Sequence, residues 1–318
     1  PTGGLFDEVG IWNNPLTATQ ISQIYNSGVP ISLDSYSPDG WWRMGDGTEA
    51  GSGTTIYDMS ANSNNGTLTN GPTYSTDVPY VLPSVTNTLS GSFDGTDDSL
   101  DVSSTSDYAF GSSGFSISFW FNGGSTNASS GFGVNIFDMR TSLGGSQPSL
   151  WIETKGASSL VKYYASAAYR VSTTATINSG TWYHLAITND GSTTKIYLDG
   201  NSIGTGSDPT NYVAAPLRIG GYHGNQYYYD GLVDEFAIFN SELSASDVTA
   251  IYNSGVPADL SSLSPLGWWR IGDGTGDTDS GGGAPASGDT IGTVVDQGSG
   301  GNDATGTNGP TYSTDVPT

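Results

Sequence analysis

The residues best suited to hold a ligand lie in one run, Gly221-Tyr222-His223-Gly224-Asn225-Gln226-Tyr227-Tyr228-Tyr229-Asp230. Aromatic faces stack on the C–H surfaces of sugars, while amide and carboxylate groups satisfy hydroxyls. Tyr222, His223, Asn225, Gln226, Tyr227, Tyr228 and Tyr229 are therefore candidate glycan-binding residues. Tyrosine runs also cap sheet edges and form protein interfaces, and that reading stays open. A second chemistry belongs to the acids, because calcium is held by several hard oxygens from carboxylates, amides and carbonyls. Asp58, Ser60, Asn62 and Asn64 recur at every second position before Gly66. A second copy of this segment keeps Asp296 and Asn302 but has Gly298 and Gly300 between them. Asp58 and Asn64 are thus the candidate metal ligands, against the alternative of an Asx-rich turn that satisfies its own backbone. Asp94, Asp97 and Asp98 form a third acidic group, read as a solvated turn.

Catalytic residues are not expected. The chain has no cysteine and only two histidines, His184 and His223, which leaves little for a zinc site or a nucleophile–base pair. His184 sits within an aromatic strand pattern and reads as packed structure. Asp7-Glu8 and Asp234-Glu235 are adjacent pairs, so in a strand their carboxylates point to opposite faces. Glycoside hydrolysis needs two carboxylates facing one sugar.

The totals bound the partners. Lys and Arg number 8 against 31 Asp and Glu, a formal net charge of −23, which repels phosphate backbones and anionic bilayers. Neither nucleic acid binding nor membrane insertion is expected, and no apolar run is long enough to span a bilayer. Among 318 residues, 46 Gly and few charges raise disorder as a first suspicion, but 8 Trp, 18 Tyr and 10 Phe are enough to build cores. An uncharged polar surface with many turns fits an all-β protein outside the cell. No signal peptide is visible, so the expectation is that the chain begins inside a longer product or has lost its start.

An internal repeat organises these residues. Residues 4–30 return at 231–257 with 15 of 27 positions identical, an offset of 227. Gly40-Trp41-Trp42-Arg43 returns at the same offset as Gly267-Trp268-Trp269-Arg270. The run Gly71-Pro72-Thr73-Tyr74 returns at 309–312, an offset of 238, so the second copy has a lengthened Gly/Ser/Asp-rich loop near 275–295. Nothing in 81–230 is duplicated. The expected organisation is one complete unit over 31–257. Residues 1–30 would be the C-terminal strand and helix of a preceding unit, and 258–318 the N-terminal part of a following one.

The elements that must position the candidates are short strands. Phe115, Ile117, Phe119 and Phe121 alternate onto one face. Residues 182–188 and 194–199 should pair as a hairpin through Asp190-Gly191, since Asp-Gly supplies the positive φ of a tight turn. Capping boxes at Thr17/Gln20 and Ser244/Asp247 open short helices, which Gly28 and Gly255 should close. The expected fold is all-β: a two-sheet antiparallel jelly-roll sandwich with a short C-terminal helix per unit.

Phe93-Asp94-Gly95-Thr96-Asp97-Asp98, the 115–121 strand, Trp182-Tyr183-His184, Tyr197-Leu198-Asp199-Gly200 and Gly231-Leu232-Val233-Asp234-Glu235 resemble, in order, the landmarks of laminin-G-like jelly rolls of the concanavalin A-like lectin/glucanase superfamily. The opening Gly40-Trp41-Trp42 with Tyr57-Asp58-Met59-Ser60 is similar to that family's first strand and loop, so the resemblance covers most of 38–256. It implies a curved sandwich, with calcium, glycan or protein binding common. It also implies that Asp234, near the last strand, is a metal candidate or a buried structural carboxylate. The alternating carboxylates of the related glucanases are not found here. The repeats and polar acidic surface are similar in style to large surface proteins of marine bacteriophages or bacteria. The expected function is a non-enzymatic structural and interaction array in an extracellular or virion fibre. Its expected partners are other copies or neighbouring domains of the fibre, and surface glycans. A calcium-dependent lectin, or less readily a glycoside hydrolase, is the alternative.

Overall fold

Short runs of alternating apolar and polar residues, broken by Gly, Asp and Asn, favour strands joined by tight turns over long helices. The computed structural model describes all residues except 1–3, 27–28, 76–77, 124–132, 141–144, 146 and 156–157. Its contacts divide into two units, Pro1–Val81 and Leu82–Thr318.

Unit 1 contains β1 (Val9–Ile11), α1 (Ala18–Tyr25), β2 (Gly40–Trp42), β3 (Thr55–Ile56) and β4 (Gly66–Thr67). β1 and β2 pair antiparallel with Val9 opposite Trp42, and β3 pairs with β4. The Thr17/Gln20 capping box is present.

Unit 2 runs through β5 (Ser90–Asp94), β6 (Ser99–Thr105), β7 (Phe115–Asn122), β8 (Val134–Asp138), β9 (Ser149–Lys155), β10 (Ser158–Ala165) and β11 (Ala168–Ala175). It continues with β12 (Trp182–Asn189), β13 (Thr193–Leu198), β14 (Asn201–Ser207), β15 (Ala215–Ile219) and β16 (Asp230–Phe239). After α2 (Ala245–Tyr252) come β17 (Gly267–Trp269), β18 (Thr278–Asp279), β19 (Ile291–Val294), β20 (Ala304–Thr307) and β21 (Thr311–Ser313). These strands form two antiparallel sheets. One has eight strands in the order β14-β13-β12-β7-β16-β5-β21, with β17 on β16. The other has nine, β11-β10-β9-β8-β15-β6-β20-β19-β18. The core lies between them, and Phe115, Ile117, Phe119 and Phe121 all point into it, as their alternation requires.

The hairpin forms in the expected register, with Leu185 opposite Leu198 and Asn189 opposite Thr194. Asp190 Oδ1 accepts the amides of Ser192 and Thr193 at 2.8 and 2.7 Å. Gly191 carries the positive φ of 92°, and a Cβ there would lie 2.3 Å from the Ser112 carbonyl oxygen. Gly191→Ala should therefore destabilise unit 2 by about 1–3 kcal/mol, read from its urea midpoint. An unchanged midpoint would show that the turn does not need glycine.

α2 opens on the Ser244/Asp247 capping box and lies over the outer face of the eight-stranded sheet, where Tyr252 stacks on Trp120 with ring centres 6.0 Å apart. His184 is enclosed there. Its Nε2 is 2.8 Å from Ser118 Oγ, and burial pulls its pKa down to about 3, so the ring is a neutral packing element. The helix ends differ from expectation. The left-handed caps are Asn26 and Asn253, whose short side chains tolerate that conformation, and Gly255 follows with its own positive φ. Gly28 lies outside the described residues.

The division of the chain also differs from the expected boundaries at 30/31 and 257/258. Trp268 and Trp269 are buried within unit 2, where β17 pairs with β16, β20 with β6 and β21 with β5. Residues 258–318 thus complete the jelly roll that begins at residue 82. Trp42 pairs with Val9 in unit 1. The reason lies in a shared clamp. The Phe236–Trp269 register repeats the Val9–Trp42 register residue for residue. Glu235 accepts Trp268 Nε1 at 2.6 Å and Arg270 Nε at 3.1 Å, while Glu8 accepts Trp41 Nε1 at 2.5 Å and Arg43 Nε at 2.8 Å. Both glutamates sit at positive φ, 46° for Glu8 and 47° for Glu235, the latter within a bulge of β16. The Asp-Glu strand and the Trp-Trp-Arg strand are therefore halves of one structural piece, and a boundary between them would separate the halves.

Candidate functional site

Among the described residues no helix covers the outer face of the nine-stranded sheet, and the 221–228 loop folds onto it. Alternation on β9 sends Leu150 and Ile152 into the core and Trp151 to the outer face; on β10 it does the same with Tyr163 and Tyr164. Asn135 on β8 is the cross-strand neighbour of Trp151. The loop is fixed by the Asn135 amide, which donates to the Tyr227 carbonyl at 2.9 Å, and by Arg218 Nη1, which donates to Asn225 Oδ1 at 2.9 Å. Gly224 is required by space: a Cβ there would fall 2.1 Å from the Tyr222 ring.

The result is an aromatic cluster around one guanidinium. Arg140 lies over the rings of Trp151, Tyr164 and Tyr222 at 5.6, 4.6 and 5.1 Å from their centres. Its Nε donates to Asp138 Oδ1 at 2.7 Å and its Nη2 to Ser149 Oγ at 3.2 Å. Asp138 Oδ2 also accepts the His223 amide at 3.2 Å. Burial lowers the His223 pKa, and the nearby Asp138 carboxylate opposes that shift. Tyr227 meets Trp151 edge to face at 5.0 Å, and Tyr164 meets the exposed Tyr169 in the same way at 5.3 Å. Trp151 Nε1 and Asn135 Oδ1 are buried and make no hydrogen bond within the protein.

The candidate loop residues separate into two groups. Tyr222 is buried against Trp151, while Asn225 and Gln226 are exposed and His223, Tyr227 and Tyr228 are half-buried at the rim. Tyr229 does not belong to this face: it is buried in the core, with its hydroxyl donating to the Asn122 carbonyl. Sequence reasoning missed Asp138, Arg140, Trp151, Tyr164 and Tyr169. The period-two pattern of 149–155 and 158–165 was the signal that could have placed Trp151 and Tyr164 on one outer face.

The acids behave otherwise. Asp58 Oδ1 accepts the Trp41 and Ser60 amides, both at 2.9 Å, and Oδ2 accepts the Asn64 amide at 2.8 Å. Burial works to raise its pKa, but these donors outweigh it and hold it at about 2. Asp296 repeats the arrangement with Trp268, Gly298 and Asn302 at 2.8, 2.8 and 2.9 Å. Asn64 contributes its backbone: its amide goes to Asp58 and its carbonyl accepts Trp42 Nε1 at 3.0 Å. Both oxygens of Asp58 thus hold the chain's own backbone, as an Asx turn does. Asp234 is wholly buried, takes the Glu235 amide on Oδ1 and Asn87 Nδ2 on Oδ2, and has its pKa pushed well up by burial and by the Glu235 charge. That environment favours the protonated acid. Asp94, Asp97 and Asp98 bring carboxylate oxygens within 4.8 Å of one another, the one such group among the described residues. Asp94 and Asp97 are exposed and Asp98 is buried, with Asp98 Oδ2 accepting the Asp94 amide at 3.1 Å.

The comparisons with known proteins agree with this fold. Residues 94–249 match the model of the concanavalin A-like lectin/glucanases superfamily. No curated protein matches the chain. Among solved structures, a candidate carbohydrate binding protein from Bacteroides ovatus is similar at 18% identity and a TM-score of 0.50, covering 83% of this chain and 68% of that one. A heptameric SAP-like pentraxin from Limulus polyphemus is similar at 14% identity and a TM-score of 0.43, covering 52% of this chain and 82% of that one. A Trypanosoma rangeli sialidase is similar at 14% identity and a TM-score of 0.39, covering 54% of this chain and 32% of that one. No helix among the described residues is long and apolar enough to cross a membrane.

Proposed function

We propose that unit 2 is a non-catalytic glycan-binding module, carried in a tandem array of such modules on an extracellular or virion surface. The observation that carries this reading is the outer face of the nine-stranded sheet. There Tyr169, Tyr227 and Tyr228 reach solvent beside Trp151, and the amide side chains of Asn225 and Gln226 stand at the rim. Lectin-like sandwiches bind sugars through a few aromatic platforms and convergent polar groups, which is the chemistry assembled here. The non-catalytic part rests on the carboxylates of the same face. Asp101 pairs with Arg218 at 2.7 Å, Asp138 with Arg140 at 2.7 Å, and Glu153 with Lys162. A glycosidase needs one protonated acid and one free carboxylate across the sugar, and these three acids each serve a cation. The tandem part rests on the repeated clamp of units 1 and 2. Calcium has no assigned role in this reading.

A glycan array followed by calorimetric titration tests it. The chain should bind at least one oligosaccharide, and Tyr227→Ala or Tyr228→Ala should weaken binding about tenfold with the fold intact, the loss of one stacking contact. Tyr25→Ala in unit 1 should leave the titration unchanged. Absence of binding to neutral and acidic glycans, or hydrolysis abolished by one Asp or Glu substitution, would remove the reading.

A further inference from the structure

Unit 1 repeats the part of unit 2 that follows residue 230, yet the two present the same positions differently. Leu5, Phe6, Ile11, Ile21 and Tyr25 are 60, 82, 54, 56 and 66% exposed. Their counterparts, 227 positions on, are Leu232, Val233, Ile238, Val248 and Tyr252, of which Val233, Ile238 and Val248 are fully buried. What buries them is the 82–230 portion of unit 2. β16 pairs with β7 along one edge and with β5 along the other, Phe236 stacks on Phe119 at 5.3 Å, and Tyr252 stacks on Trp120 at 6.0 Å. In unit 1 the edge of β1 that corresponds to the β7 side pairs with no strand among the described residues.

We infer that the Leu5–Tyr25 face of unit 1 is the docking surface for a concanavalin A-like jelly-roll body with the strand order and core chemistry of residues 82–230, joined on the amino-terminal side of the unit. The clamp makes unit 1 a preformed clasp, since Glu8, Trp41 and Arg43 already hold β1 and β2 in the register used by unit 2. Every position of the face remains apolar across the repeat, so the body it accepts is apolar and strand-edged, as 82–230 is. The covalent side follows from β16, a single strand whose Asp230–Val233 portion pairs with β5 of the body and whose later residues belong to the clamp. The inference rests on the tandem part of the proposed function. Glycan titration of the natural chain stands or falls without it.

The test is a chain in which a second copy of 82–230 is joined ahead of Gly4, compared with the natural chain by hydrogen exchange and light scattering. Amides of 5–12 and 18–25 should gain at least tenfold protection in a monomer, and Phe6→Asp with Ile11→Asp should abolish the gain while unit 2 keeps its own protection. Because Phe6 and Val9 differ in size from Val233 and Phe236, Phe6→Val with Val9→Phe is the size-matched second form and should gain at least as much. The inference is overturned if neither form gains protection, or if the added body stays unfolded beside an intact unit 2. It is also overturned if the natural chain dimerises with the same amides already protected, because a second copy would then be the occupant.

Discussion

Trp269→Ala should remove about 3–5 kcal/mol from the stability of unit 2, the range for deleting a fully buried aromatic side chain. Trp269 is completely buried, packs on Phe236 at 6.1 Å between ring centres, and donates Nε1 to the Asn302 carbonyl at 3.0 Å. The truncation would open a cavity between the sheets and orphan that carbonyl. Trp42 is its counterpart in unit 1, with the same bond from Nε1 to the Asn64 carbonyl at 3.0 Å, but its ring is only half-buried. Trp42→Ala should therefore cost far less, about 1 kcal/mol, in proportion to the apolar area removed from water. Urea unfolding followed by hydrogen exchange separates the two units. Equal losses at the two positions would show that unit 1 is closed as tightly as unit 2, contrary to the exposure of its apolar face.

The second large effect is on pH. Glu235 is buried, and burial pushes its pKa up to about 7 even though Arg270 and Trp268 favour the ionised form. The unfolded chain carries an ordinary glutamate, so between about pH 4.5 and 7 the native state binds more protons than the unfolded state. Stability contributed by this group is complete below about pH 4.5 and is lost as pH rises through about 7, a change on the order of 3 kcal/mol. Asp234, raised by burial and by the Glu235 charge, acts in the same direction. Unit 2 should thus melt at a higher temperature at pH 5 than at pH 7.5. Glu235→Gln should flatten the profile over this range. A midpoint that rises with pH across it would show that the Arg270 pair governs Glu235 in place of burial.

The all-β sandwich was legible because its strands alternate strictly and its hairpin carries Asp-Gly. The 115–121 face, the 190–191 turn and both capping boxes could be assigned from local chemistry alone. The unit boundary was not legible. A repeat reveals a period and leaves its phase open, and the phase here is set by a side-chain contact, Glu235 with Trp268 and Arg270, across about 35 residues. The Tyr loop was found from its composition, but its partners come from β8, β9 and β10, distant in sequence. Arg140 is the clearest case. A lone arginine in a Gly/Ser context gives no sign that three aromatic rings will close around it. Tyr229 was misplaced because a run of three tyrosines does not say which ring turns inward.

The strand order has a consequence for how the protein is made. β5 and β6 lie near the start of unit 2, yet their outer neighbours β21 and β20 are the last strands of that unit among the described residues. Thr311 pairs with Ser92, roughly 220 residues apart. Non-local pairings of this kind are slow to form, because a long loop must close before any contact rewards it. During synthesis, most of the unit leaves the ribosome before Ala304, with Phe93 and Leu100 still lacking the strands that will cover their sheet edges. The last strands of the unit are thus the ones that permit its completion. Unit 2 cut short between β16 and β20 should be open-edged and prone to aggregation.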